Sequence, residues 1–479
     1  MKTLKLALAA SAATLALALP SFAVAQAEAT KPLPPSPAEV KAAKAVADAR
    51  DAALSDDTVA WDIVEGLTTE IGQRMAGTEA EARARVWAKA KLDTLGFRNV
   101  RIEPYLMQTW VRGAETAEIV SPFAQKMAIT ALGRSGATPP EGLTAEIAYF
   151  PTYAALEAAP AGSLKGKIAF ISHNMQPTQD GSGYGFAGPV RWTGPALAAS
   201  KGAIATVIKS VGTDLHRNPH TGNTGWANGQ TPTAAGALSR PDAENLERML
   251  KRGKPVSMKL VLTPRWLGET QSGNVIAELP GKDPKAGVIV IACHLDSWDL
   301  GTGAIDDASG CAIITAAAKR VMAAGGTRHT IRLLWAGAEE VGVFGGAAYG
   351  KAHGDEKHVL AMESDFGADR VWKVDFNLAN DELKTRVAQA LAPLGISRGT
   401  GEAHGGADVG AIIEAQKTAI VDLKQDGTQY FDLHHTPDDT LDKIDPVQLR
   451  QNVAAWVAAL MVLGNAPGDL APAVTPHGE

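Results

Sequence analysis

Apolar residues recur at three- and four-residue spacings over 38–52, 58–67 and 79–95, which predicts three successive helices, the third stopped by Gly96. A short strand is predicted over 100–103. From about Ser121 to Pro264 the pattern breaks up into Gly, Pro, Thr and Ala. Short β-like runs stand at 167–171 and 205–208, with a brief helix over 194–201 between them. That stretch reads as a separate small module with many loops. From Asn274 onward strands and helices alternate. The run 288–293 is apolar without interruption, as in a strand buried on both faces, and 331–335, 359–362 and 418–423 are further strands. Helices are predicted over 308–324, 381–391 and 408–415. The last, over 446–463, is amphipathic, with Leu449, Val453, Trp456, Val457, Leu460 and Met461 on one side and Pro446 suited to its first turn. Such alternation implies an α/β domain around a mainly parallel sheet, with ligand sites at the carboxyl ends of its strands.

Composition narrows the class without changing that picture. The chain has 479 residues, 45% hydrophobic and 20% charged, which is ordinary for a globular protein and ample for two or three domains. The net charge of −6 lacks the basic excess of a nucleic-acid binder. The first residues stand apart. Lys2 and Lys5 precede an apolar run over 6–19, and Ala23-Val24-Ala25 is a small-x-small cleavage site. This is the pattern of a signal peptide cut after Ala25, so a soluble mature protein is expected in the periplasm or outside the cell, free of the membrane. Residues 26–40 read as a flexible Ala/Pro-rich leader. Cys293 and Cys311 would be permitted to pair there, but both lie in apolar stretches and are expected as buried free thiols.

Five clusters of acids and imidazoles lie in the α/β half. His294-Leu295-Asp296 follows the strand 288–293, and Asp296 is near enough to orient the imidazole. Asp306-Asp307 stands in a loop entering a helix, where a capping role would explain either one. Glu339-Glu340 follows the strand 331–335, Glu363-Ser364-Asp365 ends the strand 359–362, and His434-His435-Thr436-Pro437-Asp438-Asp439-Thr440 precedes the last helix. Each alone has an ordinary explanation. Together they should meet at one sheet edge, and carboxylates buried together need a cation. Imidazole and carboxylate without thiolate suits a catalytic zinc pair. The sequence has no H-E-x-x-H, phosphate-loop or G-x-S-x-G signature.

In this order the segments ACHLDSWDLGTGAIDDASG, AGAEEVGVFGG, LAMESDFG and QYFDLHHTPDDTLDKIDP resemble the co-catalytic dizinc exopeptidases, aminopeptidases and carboxypeptidases of the carboxypeptidase Q (plasma glutamate carboxypeptidase-like) type. Residues 166–210 also resemble a protease-associated insert. The resemblance implies a three-layer catalytic domain around a mixed, mainly parallel sheet, formed by 26–120 and 266–479, with an inserted β-rich domain over 121–265. It implies two zinc ions per chain. His294 and Asp365 would hold one, His435 and Glu340 the other, and Asp306 would bridge them, with His434 the weaker ligand candidate. Glu339 would be the general base, with Asp296, the carboxylate beside His294, as the other catalytic candidate, and the Asp306–Asp307 peptide would be cis. A water shared by the metals would attack the scissile carbonyl.

Candidates for reading the substrate's terminus are Glu402, His404 and the following Gly405–Asp408 loop, with Tyr430 for the oxyanion. Short peptides, above all dipeptides with free termini, are the implied substrates; a broad aminopeptidase is the alternative. A one-zinc glutaminyl cyclase and a ligand-stripped binding protein share the architecture, although here every ligand position holds a side chain able to ligate. Relatives of this kind often pair as homodimers, but no interface is legible in one sequence.

Overall fold

A computed structural model describes residues 36–468 and 470–476. The expected signal peptide, its cleavage site and nearly all of the leader lie outside them. The chain divides into two compact units, 1–41 and 42–479. Of the first, the described residues open the helix Pro37–Asp56. All that follows concerns the second.

Two eight-stranded sheets organise it. The first runs Arg98–Val111, Arg265–Leu279, Thr330–Ala336, Val288–His294, His358–Glu363, Ala419–Gln425, Val371–Asn377, Ser397–Arg398. Its four inner strands are parallel neighbours, from Thr330–Ala336 to Ala419–Gln425, and the strands flanking them pair antiparallel. The uninterrupted apolar runs are the reason: Ile289 to His294 and Ile331 to Ala336 are buried throughout, as strands covered on both faces must be. The second sheet takes all its strands from residues 115–262, so the chain leaves the first sheet at Val111 and rejoins it at Arg265.

Most sequence-predicted elements are present within a few residues. The terminal helix Pro446–Gly464 departs from its expected character: every residue from Gln451 to Gly464 is buried. Alanine, valine and leucine occupy all its sides, and it packs against the equally apolar helix Ser309–Ala323. It is therefore an enclosed helix and not an amphipathic surface one. Among the described residues, no helix is long and apolar enough to cross a membrane.

The cysteines are also corrected. Cys293, at the end of a central strand, and Cys311, in the next helix, form a disulfide with Cα atoms 5.1 Å apart. Apolar surroundings predict burial, but they do not report that two segments converge.

Two histidines remote from these strand ends tie stability to pH. His358 donates from Nδ1 to the Glu356 carbonyl (3.0 Å) and accepts at Nε2 from the Tyr349 hydroxyl (2.7 Å). His173 accepts from the Met175 N–H at Nδ1 and points Nε2 at the Lys209 and Ser210 carbonyls. Burial is the main cause that lowers both, each to about 4. A lowered histidine pKa means the unfolded chain binds more protons between that value and about 6.5, so the contribution is complete above 6.5 and is lost as pH falls toward 4. Each histidine accounts for about 3 kcal/mol over that window. Calorimetric melting should therefore fall between pH 6.5 and 4 with a shallower slope in His358→Gln; equal slopes would refute the assignment.

Candidate active site

The carboxyl ends of the parallel strands deliver the predicted clusters to one place. His294 is the last residue of its strand; Glu339 and Glu340 follow Thr330–Ala336; Asp365 follows His358–Glu363; and His435 lies beyond Ala419–Gln425, after the short helix Tyr430–Leu433. Asp306 enters from the loop ahead of the helix Ser309–Ala323. Its Oδ1 is 2.9 Å from His294 Nε2 and its Oδ2 is 3.2 Å from His435 Nε2. Asp365 Oδ1 lies 3.4 Å from His294 Nε2, and Glu340 Oε2 lies 3.0 Å from His435 Nε2. The arrangement is two sets of three N/O donors that share one carboxylate.

That spacing fits a metal. Bonds of about 2.0–2.1 Å at tetrahedral angles put ligand atoms ~3.3 Å apart. Glu340 Oε1 is buried with no hydrogen-bond partner. Ligating imidazoles need their second nitrogen held, and both are: His294 Nδ1 by the Asp296 carbonyl (3.0 Å), His435 Nδ1 by the Thr221 carbonyl (3.2 Å). His434 stacks on His435 with ring centroids 3.5 Å apart and reaches to 3.9 Å from Asp306 Oδ2. It too belongs to a group of donors able to surround an ion, with Asp306 and His435.

The electrostatics point the same way. Burial opposes a charged imidazole at His294, yet Asp365 and Asp306 outweigh it and hold the pKa well above the usual range. At His435 burial is likewise overcome, by Glu340 and Asp306, and the pKa rises to about 10. Burial would raise Asp306, but His294 and His435 hold it well below the ordinary carboxylate value. Glu339 is pushed well above it by burial, reinforced by Asp365, Glu340 and Asp296 against the pull of His294. Protons on the imidazoles thus offset the clustered carboxylates, a task for which divalent ions are better suited.

Local backbone serves the same arrangement. The Asp306–Asp307 peptide is cis, as the resemblance implies. Asp307 does not face the donors: its carboxylate accepts from the N–H groups of Gly310 (2.9 Å) and His294 (3.2 Å), the capping role open to one member of the pair. Ala338, Val343 and His435 have φ of 55°, 56° and 61°, a left-handed backbone that is uncommon outside glycine and costs about 1–3 kcal/mol per residue. They bracket the two glutamates and carry the imidazole.

Asp296 behaves differently from expectation. Its carboxylate stands 3.7 Å from His294 Nδ1, while its backbone carbonyl holds that nitrogen. Oδ1 instead accepts the backbone N–H of Glu339 at 3.0 Å, so the carboxylate fixes the glutamate loop. Tyr430 lines the same cavity as Asp306, Glu339, Glu340, Asp365 and both histidines of the motif loop, in a space of about 490 Å³. Burial, with Asp306 and Asp365 adding, keeps its hydroxyl protonated. Glu402 and His404 are exposed and do not line that cavity; Glu402 lies near the Asn377 amide (3.3 Å). The glycines Gly405 and Gly406 (φ 97° and 152°) turn the chain after them, and it is Gly405, Gly406 and Ala407 that line a neighbouring cavity of about 240 Å³, together with Asp180, Glu363 and Asp365.

Several contributors went unread in the sequence. Asp439 accepts from the N–H groups of Ile305 (2.6 Å) and Asp306 (3.3 Å), fixing the shared carboxylate's backbone. The motif DDT contained it, but nothing distinguished it from a surface acid. Arg74 is wholly buried and donates to the carbonyls of Leu295, Thr302 and Gly303, tying the His294 and Asp306 loops together. Arg191, Trp192 and Asn223 form a wall of the larger cavity from within residues 115–262. No local pattern pointed to any of the last four.

Comparison with known proteins places the chain among relatives. The Peptidase family M28 model matches residues 274–460. Carboxypeptidase Q of Bos taurus is 31% identical over 405 residues, 83% of this chain and 84% of that protein, and the Homo sapiens protein is likewise 31% identical over the same shares. The crystal structure of a peptidase M28 precursor from Shewanella amazonensis superposes with a TM-score of 0.86 at 44% identity, covering 90% of this chain and 99% of that one. A zinc aminopeptidase from Bacillus subtilis shares the fold at a TM-score of 0.60 and 19% identity, over 85% of this chain and 95% of its own.

Proposed function

The chain belongs to peptidase family M28 and is a zinc-dependent exopeptidase, and from that premise we propose that it is an exported dizinc enzyme cleaving dipeptides with free termini. The observation that carries this reading is the shared carboxylate: Asp306 offers one oxygen to His294 and the other to His435. His294, Asp365 and Asp306 would hold one ion, and His435, Glu340 and Asp306 the second. When bound there, zinc would supply Lewis acidity toward water and the scissile carbonyl.

The chain's own residues do the rest. Glu339 faces the cavity, and no hydrogen bond among the described residues engages its carboxylate. It takes a proton from the attacking water and returns it to the leaving amine. Asp296 positions Glu339 through its backbone. Tyr430 presents a protonated hydroxyl to the oxyanion. The segment over 121–265 acts as a protease-associated-like insert, and its Tyr184, Arg191 and Trp192 line the cavity and restrict it to short peptides. The Cys293–Cys311 disulfide agrees with export, since such bonds persist in oxidising compartments.

The test is one assay set. The mature protein, with and without chelator, is given a dipeptide, the same dipeptide acetylated, and the same dipeptide amidated, and its zinc is counted by mass spectrometry. Two zinc ions, chelator sensitivity and loss of cleavage with both modifications are expected. Cleavage lost on acetylation alone would make it an aminopeptidase, and a single zinc would favour a cyclase.

A further inference from the structure

We propose that Thr221 is a positioning residue of the metal site: through it the segment over 121–265 holds His435 in its ligating orientation, so that one zinc position depends on that segment and the other does not. The assignment rests on the dizinc reading and deepens it with the residue that orients one ligand.

Thr221 is wholly buried and meets His435 twice. Its N–H donates to the His435 carbonyl at 3.0 Å, and its own carbonyl lies 3.2 Å from His435 Nδ1. An imidazole that ligates through Nε2 keeps its proton on Nδ1, and a buried N–H needs an acceptor. Nε2 does face the donors, 3.2 Å from Asp306 and 3.0 Å from Glu340. Arg191 donates to the same Thr221 carbonyl at 3.3 Å, which a second lone pair allows. His435 also has a left-handed backbone, φ 61°, which persists only where its surroundings over-determine it. The two Thr221 contacts fix its backbone and its ring together.

Thr221 is anchored in turn. Its hydroxyl donates to the Ala131 carbonyl at 2.9 Å and accepts from Arg112 Nη2 at 3.1 Å. Arg112 directly follows the strand Arg98–Val111, where the chain leaves the first sheet. Its fork grips Asp299 at 2.8–3.0 Å, and its Nη1 donates to Glu115 at 2.7 Å. Asp299 belongs to the loop after His294, and Glu115 opens a strand of the second sheet. One guanidinium therefore ties Thr221 to both sheets, with the bidentate geometry that suits arginine. A second grip comes from the same loop: Thr213 donates its N–H to the Phe431 carbonyl (3.0 Å) and its hydroxyl to Asp432 (2.5 Å). His294 differs. The Asp296 carbonyl, two residues on, holds its Nδ1, so its orientation is set within its own loop. The two imidazoles answer to different parts of the chain.

The experiment measures zinc affinity by competition with a calibrated chelator in the mature native protein, Thr221→Val and Thr221→Ser, with Thr206→Val as a control. Valine keeps the shape and removes the hydroxyl tether; serine keeps the tether. Thr206 is buried in the second sheet with a hydroxyl that has no partner, so its loss should leave both zinc positions unchanged. The constant that Glu340→Gln weakens marks the His435 position. Thr221→Val should weaken that constant about 10-fold and leave the other within about two-fold, and Thr221→Ser should restore it. Equal weakening at both positions, no weakening, or the same loss in Thr206→Val would overturn the assignment, while two ions in the native protein keep the dizinc reading standing. A single ion in the native protein would sink that reading and this assignment with it. If Thr221→Val does not fold, nitrogen NMR of histidine-labelled native protein with zinc decides. An exchange-protected proton on His435 Nδ1 is expected, and an unprotonated Nδ1 refutes the role.

Discussion

Glu339→Gln should retain two zinc ions per chain and a KM within a few-fold of native while kcat falls by about 10³–10⁴. The substitution keeps the shape and removes only the capacity to take up a proton. Glu339 is not among the six-donor arrangement around Asp306, yet it shares the cavity with all of it. Its backbone N–H, held by Asp296, is unchanged by the substitution, so the loop should stay in place. Metal analysis together with steady-state kinetics separates the outcomes. Near-native turnover would exclude Glu339 as the base, and parallel loss of zinc would make it a ligand.

Asp306→Asn should act on both ions at once. A carboxylate that offers an oxygen to each imidazole cannot be replaced by an amide, which has one acceptor and half the binding symmetry. Zinc affinity should weaken by about 100-fold or more at both positions, and activity should vanish with it. Glu340→Gln and Asp365→Asn provide the contrast, since each faces one imidazole only and should empty one position first. Competition with a calibrated chelator measures this directly. If Asp306→Asn binds both ions as tightly as the native chain, the shared-ligand reading is wrong.

Part of the donor cluster was legible because three of its members stand just after a continuous apolar run, and such runs become inner strands whose ends converge. His294, Glu340 and Asp365 needed no more than that. The flanking strands Arg98–Val111 and Arg265–Leu279 were nearly invisible, with only 100–103 predicted. Arg98–Val111 mixes charged and apolar residues and carries Pro104, Arg265–Leu279 is polar or glycine from Gly268 to Asn274, and the two pair mostly with each other, so their order depends on tertiary pairing. The helix Phe344–His353 carries three glycines, so no helical pattern shows in its sequence, and it packs on Ala407–Gln416. Glu402 and His404 precede a glycine loop whose positive-φ turns at Gly405 and Gly406 are not legible in residue types alone, and both side chains are exposed. Arg191 meets a motif histidine 244 positions away, a distance no local pattern spans.

The link between Cys293 and Cys311 closes a covalent hoop of sequence separation 18, and His294, Asp296 and Asp306 all ride on it. Part of the entropy of assembling a metal receptor is thereby spent when the hoop closes and not when zinc arrives. Both cysteines are fully buried, so the folded chain shields the bond from reductants. On the export reading, the oxidised chain should hold zinc more tightly than the reduced one, and chelator competition with and without reductant measures the difference.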